Sequence, residues 1–147
     1  MTVRLSGPRR RADGSGLDRR QLRRRAARVR EVLDRRDAER SVRLVDDAEI
    51  AELNERFRGK PGPTDVLSFS LLEGAHAERR GALLGDVVMG VGVARRQAAR
   101  GRRTLDDELA RLLIHGVLHL VGHDHERRAE AARMKAEERR LWRALDA

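Results

Sequence analysis

The stretch His115-Gly116-Val117-Leu118-His119-Leu120-Val121-Gly122-His123-Asp124-His125 holds four of the chain's five histidines. His115 and His119 are i and i+4. On a helix that separation is about 400° of turn and about 6 Å of rise, so both imidazoles leave one face a turn apart. Gly122 follows as a residue able to take the left-handed conformation and end the helix. The chain can then fold back and bring His125 towards the same point. Three imidazoles converging in this way make a first-row metal site, with zinc the first candidate and a fourth position left open for chemistry. Imidazole also suits nickel and other metals, so the spacing alone leaves the ion's identity open.

The spacing H-x3-H-x5-H, with a glycine inside it, resembles the metzincin metalloprotease pattern H-E-x-x-H-x-x-G-x-x-H. The difference is Gly116, which stands where those enzymes carry their glutamate base. A glycine inside a helix costs roughly 1 kcal/mol relative to alanine. Without the base, peptide hydrolysis by that route is disfavoured.

The rest of the chain narrows the choice. At 147 residues it is long enough for one domain with its own core. It has no cysteine, which removes disulfides, thiolate metal sites and thiol nucleophiles and leaves histidine and carboxylate as ligands. No apolar run approaches the roughly 20 residues of a membrane span, and the N-terminus lacks the apolar core of a signal peptide; the expectation is a cytoplasmic protein away from membranes. A net charge of +9 points to a polyanion, nucleic acid first. Phe57, Phe69 and Trp142 are the only aromatics besides histidine, which argues against a base-stacking sheet such as an RRM or OB fold.

Periodicity gives the elements. Thr2–Leu5 reads as a short strand and 6–16 as a flexible loop. Asp18 is the expected N-cap of an arginine-dense helix to about Arg36, with Leu22, Ala26, Val29 and Leu33 as its apolar stripe. Its arginines fit either a nucleic-acid face or a solvated exterior. Val42–Val45 is a strand, and Asp46 or Asp47 caps a helix whose apolar positions Ile50, Leu53 and Phe57 recur at helical spacing. Arg58 to Asp65, with its two prolines, is a loop leading into strand Val66–Ser70. His76 falls in a second loop, 73–81, with nothing of ligand spacing around it. Leu83–Met89 is a buried strand and Val91–Arg100 a short basic helix. Thr104 with Asp107 begins the apolar, central helix that carries the histidines. Asp124 is expected to cap the last helix, which runs to about Asp146 with Ala131, Met134, Leu141, Trp142 and Leu145 facing the core. Strands mixed with helices give an α+β or α/β fold class: residues 1–147 form a single domain, a small sheet with helices packed on it and the metal site at the C-terminal end of the central helix.

The histidine stretch, together with Leu53-Asn54, Arg58-Gly59-Lys60, Pro63-Thr64-Asp65-Val66-Leu67-Ser68-Phe69, Leu84-Gly85-Asp86-Val87 and Met134 with Glu137-Glu138, strongly resembles the YbeY family of bacterial endoribonucleases, or rRNA maturation factors. The likeness runs from about Val42 to the C-terminus. It departs at Lys60-Pro61-Gly62-Pro63, where the family often has a Lys-Asp-Lys-Pro run, and at Ser70, where a proline is common.

The resemblance implies the α+β class, a small mixed β-sheet with helices packed on it, and one zinc ion on His115, His119 and His125. It also implies single-strand-specific RNA cleavage in 16S rRNA 3′-end maturation and ribosome quality control. The implied partners are rRNA, small-subunit particles and ribosome-assembly proteins. Arg58 corresponds to the family's functionally important arginine; its planar, permanently charged fork suits phosphate. Arg58 and His115 are the residues expected to carry catalysis. His123, Asp124 and metal-activated water all stay open as proton carriers. Two other functions compete with the nuclease: an RNA-binding assembly factor with a structural metal, and a metal-dependent hydrolase of another substrate.

Overall fold

The computed structural model describes residues 5–6, 17–33, 39–70, 83–122 and 127–146. Four strands, β1 (Leu5–Ser6), β2 (Glu39–Val45), β3 (Val66–Ser70) and β4 (Leu83–Gly90), form one sheet in the order β1-β2-β4-β3. β1 and β4 run parallel to β2, while β3 is antiparallel to β4 and lies at the end of the order. The sheet is mixed, as expected.

Five helices are described: α1 (Arg19–Val32), α2 (Asp47–Arg58), α3 (Val91–Arg100), α4 (Leu105–Leu120) and α5 (Arg128–Ala144). On one face of the sheet, Val42, Leu44, Val87 and Met89 join the inward residues of α1, α3, α4 and α5 in the main core. On the other face, Val45, Leu67 and Val88 pack with Ile50 of α2. β4 therefore buries both faces, which explains why its sequence is apolar nearly throughout rather than alternating.

α4 is the helix around which the others close. Its N-cap Thr104 accepts a hydrogen bond from the Asp107 amide at 3.1 Å. Asp106, Asp107 and Glu108 place negative charge in its first turn, where the helix dipole favours it. Each carboxylate also holds a neighbour. Asp106 accepts from the Asp18 amide at 2.8 Å, and Asp107 pairs with Arg25 at 3.2 Å. The wholly buried Glu108 is gripped by Arg103 at 3.2 Å and by Arg111.

The arginine-dense helix α1 turns out to spend part of its charge on packing. Arg25 is 6% exposed; it donates to both carboxylate oxygens of Asp146, at 3.1 and 3.0 Å, and to the Asp106 carbonyl at 3.2 Å. Arg28 donates to the Ala144 carbonyl at 3.0 Å. These contacts tie α1 to the end of the α4–α5 pair where α4 begins and α5 finishes.

Several expectations need correction. α1 ends at Val32, short of Arg36, with residues 34–38 outside the described set. β2 begins earlier than expected, at Glu39, and Ser6 pairs within β1 rather than opening a loop. The N-cap of α5 is Arg127, without a side-chain hydrogen bond, so the capping role given to Asp124 does not stand there; Asp124 itself lies outside the described residues, as do His76 and most of the N-terminal loop. Trp142, expected in the core, is 41% exposed, and Phe57, on the apolar stripe of α2, is 56% exposed. Helical spacing located their faces only approximately, because each lies at the rim of a hollow.

Candidate metal centre and cleft

α4 continues through His115 and His119 to Leu120 and ends at Val121, with Gly122 at φ +97° donating to the His119 carbonyl at 3.1 Å. The glycine thus closes the helix as its sequence position suggested. The Nε2 atoms of His115 and His119 face each other at 3.1 Å. Two ligands of a tetrahedral ion with bonds of about 2.0–2.1 Å stand about 3.3 Å apart, so this pair fits two corners of a zinc site. His125 lies outside the described residues, and among the described residues no three metal-capable side chains converge.

On the other side of its ring, His115 Nδ1 lies 3.6 Å from Glu138 Oε1 of α5. A carboxylate there favours a proton on Nδ1 and leaves the Nε2 lone pair directed at His119. Glu138 appeared in the sequence only as part of a motif match. Its spacing carries no ligand signal because it reaches the site from another helix.

Both histidines open into a cleft of about 590 Å³ between the end of α4, β3 and the last turn of α2. Phe57, Arg58, Asp65, Ser68 and Phe69 also line it. Arg58 is the last residue of α2, placed at the rim by a helix stop at Gly59, which takes the left-handed conformation at φ +65°. The following loop is fastened to α2 by the buried Asn54, whose side-chain amide donates to the Gly62 carbonyl at 3.0 Å and whose main-chain carbonyl accepts from the Lys60 amide at 3.4 Å. Asp65 holds the far end of the loop: its side chain accepts from the Val66 amide at 2.8 Å and its carbonyl from the Gly90 amide at 2.8 Å. The rings of Phe57 and Phe69 meet edge to face at 5.2 Å. Two of the chain's three aromatic residues therefore stand in the cleft wall.

Gly116 has a structural reason. A Cβ at this position would lie 2.9 Å from Val87 Cγ1, 3.1 Å from Ser68 Oγ and 3.2 Å from Val66 Cγ2. Ser68 Oγ moreover donates to the Gly116 carbonyl at 2.8 Å. α4 lies so close to β3 and β4 that any side chain here would enter the sheet. The position that carries the base in metzincins is closely packed in this fold, and a glutamate there would have to displace Val87, Ser68 and Val66.

Comparison with known proteins agrees with this architecture. The family model described as "Endoribonuclease YbeY" matches residues 16–146. The chain belongs to the endoribonuclease YbeY family. It is 49% identical over 144 residues to the endoribonuclease YbeY of Anaeromyxobacter sp. (strain Fw109-5), covering 98% of this chain and 72% of that relative. Against the endoribonuclease YbeY of Syntrophus aciditrophicus it is 43% identical over 128 residues, covering 86% of this chain and 80% of the relative. The solution structure of TM1509 from Thermotoga maritima superposes with a TM-score of 0.60 at 28% identity, covering 96% of this chain and 89% of that one. YbeY membership supports an endoribonuclease and does not favour the assembly-factor or other-hydrolase alternatives.

Proposed function

We propose that this YbeY-family chain is a single-strand-specific, metal-dependent endoribonuclease that acts on rRNA, in 16S 3′-end maturation and ribosome quality control. The observation that carries the reading is the cleft itself, which brings Arg58, His115 and His119 together from two separate elements. His115, His119 and His125 would hold one zinc ion; bound there, zinc supplies Lewis acidity and lowers the pKa of water. Arg58 presents a guanidinium fork to the phosphate oxygens, where it binds the charge that grows as the phosphodiester is attacked. Phe57 and Phe69 offer an apolar wall to an unstacked base, a feature that duplex RNA would be unable to use. Glu138 keeps His115 in the orientation and tautomer that the site needs.

The proposed partners are rRNA and small-subunit particles, with ribosome-assembly proteins, in the cytoplasm. The charge of +9 supports a polyanionic substrate, and no helix among the described residues is long and apolar enough to cross a membrane. The test is a cleavage assay on single-stranded RNA, duplex RNA and casein, run on wild type and Arg58→Ala. Cutting of single-stranded RNA that falls at least about a hundredfold in the variant is expected. Full RNA cleavage by Arg58→Ala, or cleavage of casein alone, would sink the proposal.

A further inference from the structure

A second hollow, of about 510 Å³, lies between α4 and α5. Arg103, Arg111, Ile114, Lys135, Glu138, Arg139, Trp142 and Arg143 line it, so five cations face one carboxylate. The cations fall into two groups. Arg103 and Arg111 are fixed from below by the buried Glu108, with Arg111 Nε 3.1 Å from Glu108 Oε2. Lys135, Arg139 and Arg143 stand at i, i+4 and i+8 on α5, a row that rises about 6 Å per step. All three are exposed, and none has an ion pair among the described residues. Trp142, 41% exposed, sits within this charged lining. The hollow adjoins the metal-site cleft, since Glu138 belongs to one and His115 to the other, 3.6 Å apart.

We propose that this groove binds a stretch of single-stranded RNA flanking the cleavage site, with a base stacked on Trp142 and phosphates held along Lys135, Arg139 and Arg143. The proposal deepens the nuclease reading and rests on it for the identity of the polyanion. Charge complementarity favours a polyanion. The exposed indole favours an unpaired nucleic acid over an acidic protein or an anionic membrane, because every base has a π-face and stacking on an aromatic ring tolerates any sequence. An arginine pair held in place by a buried carboxylate is a rigid phosphate grip. Contact with the cleft through Glu138 and His115 would let one RNA strand occupy both hollows.

Trp142 is the only tryptophan and the chain has no tyrosine, so intrinsic fluorescence reports on this groove alone. The experiment titrates intact protein with a single-stranded RNA of about a dozen nucleotides, a duplex of equal length, polyglutamate and vesicles of anionic phospholipid. It is repeated with Arg58→Ala, which keeps the groove intact, with Trp142→Phe and Trp142→Ala (followed by anisotropy of labelled RNA), and with Arg139→Gln/Arg143→Gln. Saturable quenching by single-stranded RNA, in wild type and Arg58→Ala alike, is expected. Trp142→Ala should weaken binding about tenfold while Trp142→Phe restores most of it. The double glutamine variant should lower the salt dependence of log K by about 1.4, at about 0.7 per phosphate contact. RNA that binds or is cut without quenching, or an unchanged affinity and salt slope in the variants, would overturn the groove and leave the nuclease reading standing. Quenching without any cleavage would support the groove while removing the nuclease. Equal quenching by polyglutamate or vesicles would overturn the choice of RNA.

Discussion

His115 and His119 point their Nε2 atoms at each other across 3.1 Å, one turn apart on the most buried of the described helices. Two imidazole nitrogens hold that separation comfortably when they share a proton or a cation. The cleft beside them carries an arginine rather than an apolar lid. That combination supports the proposed phosphate chemistry over a pair of core histidines.

The carboxylate behind His115 should tune the metal. Glu138→Gln keeps the volume but loses the charge near Nδ1, and we expect metal affinity to fall about 10- to 100-fold. Competition with a chromogenic chelator measures it. An unchanged affinity would mean that the 3.6 Å approach has no influence on the ligand.

Arg58 is exposed at a helix end, so its removal should leave the fold nearly untouched, within about 0.5 kcal/mol. Activity should nevertheless drop by about 10²–10³. Arg58→Lys should recover only part of it, since an ammonium lacks the two-pronged geometry. Thermal melts alongside single-turnover cleavage separate the two effects, and a matching loss of stability would move Arg58 from chemistry to structure.

Gly116→Ala sets helix propensity against packing. Alanine gains roughly 1 kcal/mol in an open helix, yet here its Cβ meets Val87, Ser68 and Val66 at 2.9–3.2 Å. Overpacking of that kind costs about 1–3 kcal/mol, so net destabilisation is expected. Urea unfolding of the variant decides the sign. A more stable alanine variant would show that α4 can retreat from the sheet.

At the opposite end of α4, pH should act through Asp146. The hydrogen bond from Arg25 holds its carboxyl below the ordinary value, with the charges of Arg25 and Arg24 adding to the effect. A folded-state pKa below the unfolded one contributes stability above about pH 4, and that contribution disappears as pH falls through the lower, folded value. Asp146 is more than half exposed, so the gain should stay under about 1 kcal/mol. Denaturant midpoints followed from pH 6 to pH 3 should decline less steeply for Asp146→Asn than for wild type. Identical slopes would show the Arg25 clamp to be neutral.

Much of this was legible in the chain. The central helix, the Thr104 and Asp46 caps and the glycine stop at Gly122 all follow from local pattern, because each depends on residues within one or two turns. The pairing of His115 with His119 is local in the same sense. What the pattern missed is long-range. Glu138 reaches His115 from α5, Asn54 fastens the loop behind Arg58, and Arg25 is buried amid a run of arginines that otherwise resembles a solvated face. Gly116 looked like a missing catalytic base, whereas the helix–sheet distance makes it a packing requirement. Phe57 and Trp142 lie on apolar stripes, and only the tertiary structure shows that both edge open hollows.

The most direct test of the central claim is the rate at which purified wild-type protein cuts single-stranded RNA after its metal has been chelated away and then restored. We predict that the chelated protein, still helical by circular dichroism, loses cleavage, and that stoichiometric zinc returns it, but returns none to His119→Ala. Cleavage at the undiminished rate by protein shown by elemental analysis to be metal-free would contradict the account.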